Sequence, residues 1–400
     1  MPEVGQLHPF HPLPQRGSLI PRLGHGQQRL LPILREAGVT TTVSPLHFMG
    51  HNRELALFAT ATPPTGLALD PMTYLRQLPA TKRGKAYRLQ TFGGAAAFDP
   101  DRDAIDLHGL LRLAEDPIDA PRGHGGTLLM TSYHLCGAAG TRGRSLDLAL
   151  AAAGIDHFQS ERIDQPAEHA AIQVPRELFA TVAIERGVVS SPNAVDGLAS
   201  AYGALEVDGY WVKIEGFSEH GTARELHGGA ALLGALSETG RSVVCSGAGA
   251  LHLALLVSDI ASSIGLGEAE RFSMPDAAAP PPKGPRHRLA YHPAFIHSFQ
   301  CAASPARRAF AAAPCRCGLH PENLPPAGHA VDEHCALVRT REAREAAAGS
   351  QEERREWLHA TVALASHLGE DASIDIPSRA TFETVIDGIG HARGDLAQAS

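Results

Sequence analysis

The sequence predicts an α/β protein: a (β/α)8 TIM-like barrel with an irregular N-terminal arm and a C-terminal helical subdomain that carries cysteines and histidines. Two observations lead there. Apolar runs of five or six residues alternate with helical stretches between residues 55 and 264, the texture of parallel strands joined by crossover helices. Seven such runs can be counted, with an eighth unplaced, which favours a closed barrel over an open doubly wound sheet.

Residues 1–50, rich in Pro, Gly and His, read as the arm, with one helix over Gln27–Ala37 ended by Gly38. The barrel is assigned to residues 51–274. Its first strands are expected at Leu55–Thr60, Tyr87–Phe92, Thr127–Ser132 and Ile155–Ser160, each near turn-forming residues. Helical stretches lie at Asp106–Glu115 and Ser145–Ala153, the second stopping at Gly154. Arg176–Glu185 and Ala194–Leu205 read as helices and Tyr210–Glu215 as a strand. Thr222 and Glu225 have the spacing of a capping box, which starts a helix running to about Thr239. Ser242–Ser246 is a strand, Ala250–Val257 a short helix and Ile260–Ile264 a strand. Residues 275–290, with five prolines, form an extended linker. The last unit, residues 291–400, reads as helices over Tyr291–Ala313, Glu333–Gly349 and Glu352–Leu368, with a frayed tail after Arg393.

Composition narrows the function classes. The 400 residues are 44% hydrophobic and carry a net charge of −8, which argues against a chain that coats nucleic acid by bulk attraction. The charge is uneven: residues 283–355 hold 11 Lys and Arg against 7 Asp and Glu, the remainder 24 against 36. No apolar run approaches the ~20 residues of a membrane helix. Met1–Gln15 lacks the basic start and apolar stretch of a signal peptide, so the cytoplasm is the expected compartment.

Six cysteines are present, three of them between positions 315 and 335 and close to histidines. In a cytosolic chain such clustering points to metal before redox. Zinc takes four S or N ligands in a tetrahedron. Cys315 and Cys317 supply one jaw, His320 a third ligand, and His334 or Cys335 the fourth. A structural ion is expected, because the cluster lies outside the strand–helix repeat.

The barrel rim offers further candidates. Gly247-Ala-Gly249 follows one strand and Gly265-Leu-Gly267 the next, where glycines let a ligand approach the backbone. His252 stands where a dinucleotide fingerprint needs its third glycine, so a Rossmann site is excluded. Glu215 ends its strand and Lys213 shares its face, a pair able to bind substrate or move protons. Ser132, Tyr133, His134, Cys245 and Ser246 also sit at strand ends, and Gly93-Gly94 forms another permissive turn.

Three of these places resemble the tRNA-guanine transglycosylase superfamily, barrel enzymes that exchange a guanine base for a deazaguanine. Thr91-Phe92-Gly93-Gly94 is similar to the family's Asp-Ser-Gly-Gly turn. Gly247-Ala-Gly249 through Asp259-Ile-Ala-Ser262 is similar to its Gly-Val-Gly stretch leading to Asp-Met-Phe-Asp. The late cysteine cluster, followed by the helix bearing Arg339–Glu345, resembles its zinc subdomain. The resemblance implies a nucleobase, nucleoside or nucleic acid as substrate and Gly93, Gly94, Gly247, Gly249, Gly265 and Lys213 around it. It also places the family's general acid/base Asp at Thr91 and its nucleophilic Asp at Ser262, so Glu215 and Asp259 become the candidate catalytic acids. Two other readings stay open: a binding or accessory protein that has lost the active site, and an unrelated metal-assisted barrel hydrolase.

Overall fold

The computed structural model describes residues 14, 16–24, 27–46, 66–78, 98, 100, 103, 105–122, 124, 126–137, 141–164, 176–266, 288–374 and 376–399. Eight parallel strands close into a barrel in sequence order: β1 Leu19–Arg22, β2 Thr41–Pro45, β3 Gly66–Asp70, β4 Leu128–Met130, β5 Glu177–Glu185, β6 Gly209–Glu215, β7 Ser242–Ser246 and β8 Ala261–Gly265. β8 pairs back onto β1, with Leu19 opposite Ser262 and Arg22 opposite Gly265. The expected (β/α)8 architecture is present. No described helix is long and apolar enough to cross a membrane.

Several elements differ from the sequence expectation. β1 and β2 lie within residues 1–50, so that segment supplies two barrel strands and is not an arm. Both are short, and Pro21 sits inside β1, where a missing N–H speaks against a strand. β5 occupies the stretch read as a helix at Arg176–Glu185. It is buried on both faces, so its apolar run has no period of two to betray it. The expected strand Ile155–Ser160 is the middle of a helix, Thr141–Asp164. Leu150, Ala151, Ile155 and Phe158 are its buried stripe, at helical spacing. Gly154 does not end that helix: an added Cβ would lie 3.0 Å from Ile118 Cδ1, so the glycine permits close packing on the helix Leu107–Arg122. The strands expected at Leu55–Thr60 and Tyr87–Phe92 lie outside the described residues, as does most of the proline-rich linker.

Elsewhere the agreement is close. Ser242–Ser246 matches β7, and Thr222 and Glu225 make both hydrogen bonds of the capping box that starts the helix Ala223–Ser237.

Beyond β8 the stretch Tyr291–Ala313 is not one helix. Leu289–His292 and His297–Gln300 form an antiparallel hairpin, β9–β10, and Ser304–Ala312 is a helix. The hairpin turn holds Pro293 and the left-handed Ile296 (φ 48°), both hostile to a continuous helix. Three helices follow: Ala330–Ala347, Gln351–Ala372 and Arg379–Ala399. The last continues as a helix to Ala399, through the tail expected to fray. Phe382, Val385 and Ile389 share one apolar cluster with Leu233 and Leu236 of the helix Ala223–Ser237, so the C-terminal helices pack against the barrel's outer layer.

Candidate active site and metal centre

Alternation along the strands builds the barrel mouth. Ile20, Ala68, Met130, Phe179, Trp211 and Val244 belong to one apolar cluster that fills the interior. Two residues further along each strand the side chain returns to the same face, one layer nearer the C-terminal ends. On β1, β3, β5, β6 and β7 those positions are Arg22, Asp70, Thr181, Lys213 and Ser246. An apolar floor is therefore roofed by a polar layer, and Trp211 Nε1 joins the two by donating to Ser246 Oγ at 2.7 Å.

Asp70 is the centre of that layer. Lys213 Nζ donates to its Oδ2 at 2.5 Å, and Tyr133 Oη donates to its Oδ1 at 2.6 Å. The amine also donates to Tyr133 Oη at 2.7 Å, closing a three-membered ring of contacts. The backbone N–H of Met72, in a left-handed conformation, adds a further donor to Oδ1 at 3.0 Å. All three side chains are buried.

Local structure holds this ring in place. The Thr73 hydroxyl accepts from Tyr133 N at 2.7 Å and donates to Tyr133 O at 2.6 Å. The Gln77 amide makes the same double contact with Leu135. The turn after β3 thus fixes the segment after β4, and the Tyr74 ring stacks on Tyr133 with centroids 5.6 Å apart.

Burial works to raise the Asp70 pKa, but the neighbouring Lys213 and Arg22 cations and the two side-chain hydrogen bonds outweigh it, so the carboxyl sits below its ordinary value. Burial pulls Lys213 down to about 8, against the attraction of Asp70. Burial and the Asp70 charge push Tyr133 well above the ordinary phenol value, which keeps it a donor. The mouth therefore holds an ionised carboxylate, a protonated phenol and a buried ammonium that holds its proton less tightly than an exposed lysine does.

The rim residues expected from the sequence fall in different places. Lys213 lies in the mouth, but its amine goes to Asp70 and Tyr133. Glu215 ends β6 on the same face, one layer further out and half-buried. Gly265 ends β8, and Gly247 and Gly249 follow β7 with positive φ. Their turn is already engaged: the Glu219 carboxylate accepts from Ala250 N at 3.1 Å, and a Cβ on Gly249 would lie 2.5 Å from Glu219 Oε2. Gly93 and Gly94 lie outside the described residues. Asp259 does not reach the mouth. It precedes β8, at the opposite end of the barrel, and pairs with Arg354 through contacts of 2.6 and 3.3 Å. Ser262 shares the outer face of β8 with Ile260 and Ile264, and Ser263 takes the inward one. Cys245 likewise faces the outer core, where burial pushes its thiol up to about 12.

Asp70 was not legible as a site. The signal that could have found it is the run Gly66-Leu-Ala-Leu followed by Asp70-Pro71, a strand ended by an acid and a turn residue.

The second constellation lies in the C-terminal unit. Cys315, Cys317, His320 and His334 bring one ligand atom each within 4.8 Å of the others. His334 Nδ1 is 3.8 Å from Cys315 Sγ, 3.5 Å from Cys317 Sγ and 3.1 Å from His320 Nε2. A tetrahedral metal bound at about 2.1 Å to nitrogen and 2.3 Å to sulfur sets edges of roughly 3.3–3.8 Å between its ligands. The second nitrogen of each imidazole is tied to a carbonyl: His334 Nε2 donates to Tyr291 O at 2.6 Å, and His320 Nδ1 to Pro321 O at 2.9 Å. That fixes both rings with the other nitrogen toward the shared centre. Burial holds His334 down to about 4, hence neutral as a ligand must be. These four residues fit a metal ion. Cys335 is not part of the set, since its sulfur faces Tyr291 N and Leu289 O, each at 3.5 Å.

Comparison with models of known protein families and with curated proteins returns no match.

Proposed function

We propose that this protein is an enzyme acting at the N-glycosidic bond of a nucleoside or nucleic acid, a transglycosylase-like barrel in which Asp70 is the general acid/base. The observation that carries the reading is the ionised Asp70 at the C-terminal mouth, with Tyr133 and Lys213 each on one of its oxygens. This is the end of the barrel where such folds hold their chemistry. Asp70 thereby fills the role that the transglycosylase resemblance assigns to an acid at Thr91. A departing base needs a proton and an incoming base must lose one; Asp70, ionised at rest, accepts the second and relays the first from the Lys213 ammonium that donates to it.

The order of units supports the same reading: a barrel, then, after β8, a helical unit with a Cys/His cluster. In that unit we assign zinc to Cys315, Cys317, His320 and His334, in a structural role, since two thiolates and two imidazoles suit it. Among the described residues, neither group of side chains at metal-ligand distance lies at the mouth: one is the Cys/His cluster and the other, Asp119, His157 and Glu161, sits on two outer helices.

The test is exchange of radiolabelled guanine into bulk tRNA and DNA. Incorporation is expected with the wild-type protein and a loss of about 10²–10⁴-fold with Asp70→Asn. No incorporation, together with no binding of any purine by calorimetry, would overturn the proposal.

A further inference from the structure

Lysine is scarce in this chain: four Lys stand against 31 Arg. Lys82, Lys85 and Lys283 lie outside the described residues, and the fourth is Lys213, 2% exposed in the barrel mouth. If Asp70 needed only a fixed cation, a guanidinium would serve it, with two parallel hydrogen bonds and no risk of losing its charge. An amine offers what a guanidinium lacks. It can shed a proton and then attack carbon.

The surroundings suit that use. Nζ lies 2.5 Å from a carboxylate oxygen that can take its proton and 2.7 Å from a phenol that can relay one. The ammonium also stands 4.5 Å from the centroid of the Tyr133 ring, and the Arg22 cation belongs to the same layer. Burial and Arg22 both disfavour the charged amine. Ser262, where the transglycosylase pattern places its nucleophile, faces away from the mouth and carries no carboxylate.

We propose that Lys213 is a nucleophile for a carbon at the aldehyde oxidation level, the anomeric carbon of a pentose, and forms an imine with it. This deepens the N-glycoside reading above and rests on it for the substrate. Lys213 gives one proton to Asp70, and its lone pair forms the N–C1 bond. The C1–base bond breaks with its electron pair on the base nitrogen, which takes the proton from Asp70. The ring C1–O4 bond then opens, and O4 receives a proton from the new C–N nitrogen through the Tyr133 hydroxyl, leaving a protonated imine. With a free aldopentose, the carbonyl oxygen leaves as water, carrying one proton from Asp70 and one from the nitrogen. Attack by an incoming base runs the first sequence backward.

Reductive trapping tests this on the intact chain. The wild-type protein is incubated with sodium cyanoborohydride and either D-ribose or bulk tRNA, then digested and mapped by mass spectrometry. With ribose, the Lys213 peptide is expected to gain one pentose less one oxygen atom, at least tenfold above the peptides of Lys82, Lys85 and Lys283. Asp70→Asn, folded by circular dichroism, should lose most of that preference. With tRNA, the same lysine is expected to cross-link. An adduct with ribose alone keeps the imine lysine and removes the N-glycoside as its source. Guanine exchange with no Lys213 adduct keeps the enzyme and overturns the nucleophile. Adducts confined to the other three lysines overturn it as well.

Discussion

Asp70 and Lys213 are two opposite charges placed almost out of reach of water, and each depends on the other to remain there. Removing one partner of such a pair costs about 3–5 kcal/mol, because the remaining charge stays buried and uncompensated. Lys213→Met should therefore lower stability by about that much in urea unfolding, and Asp70→Leu combined with Lys213→Met should recover most of it. An equal loss in the double variant would mean that the ring of contacts is not a coupled unit. The pH dependence has two arms. Asp70 has its carboxyl held below the ordinary 3.8, so its share of stability is complete above that pH and is lost as the pH falls through the lower, folded-state value. Lys213 behaves in the opposite range. Its folded value of about 8 lies below the ordinary 10.5, so the unfolded chain binds more protons between them and this residue's contribution grows as pH rises across that window. Urea midpoints across both ranges, in wild type and in the double variant, isolate the pair.

At the scale of elements, close approach decides as much as propensity. Gly228, in the helix Ala223–Ser237, lies so near the short helix Arg186–Val189 that an added Cβ would stand 1.8 Å from the Val189 carbonyl oxygen. Gly197, in the helix Pro192–Gly203, has nothing within 4 Å of that position. Gly228→Ala is expected to destabilise by about 1–3 kcal/mol, whereas Gly197→Ala should stabilise by about 0.4–1 kcal/mol. Thermal unfolding of the two variants should move in opposite directions. The same physics explains which elements could be read. The helix at Ala223 announces itself through a cap whose two hydrogen bonds are local. β5 does not, because covering both faces erases the period that separates strand from helix. Gly154 misleads because a helix can need a missing Cβ for a neighbour rather than for its own end.

For the whole molecule, the Cys/His cluster and the barrel are joined by a buried polar chain. Tyr291 accepts from His334 of the cluster through its carbonyl and donates its hydroxyl to Glu342 at 2.6 Å. His252 Nε2 lies 3.6 Å from that carboxylate, and its Nδ1 is 3.1 Å from Gly249 O at the rim. Arg339 lies over the Tyr291 ring at 3.6 Å and reaches Ser298 on β10. Purified protein should contain one zinc per chain. Cys315→Ser with Cys317→Ser should abolish it and speed proteolysis between residues 288 and 347, while Cys335→Ser should retain the metal. Metal loss in the Cys335 variant would remove His334 from the ligand set as described.

The sequence by itself determined the barrel class and the strands β6 to β8, and it marked Cys315, Cys317 and His320 as candidate ligands that the fold brings together, because each of these is written in short-range spacing: apolar runs of strand length, a capping box, a Cys-x-Cys pair. Only the tertiary structure decided which charges meet. Lys213 and Asp70 are 143 positions apart, and no local pattern records that barrel closure turns both inward at one height. The same closure sends Asp259 to the far end, since a residue that precedes a parallel strand and one that ends it lie on opposite faces of the barrel.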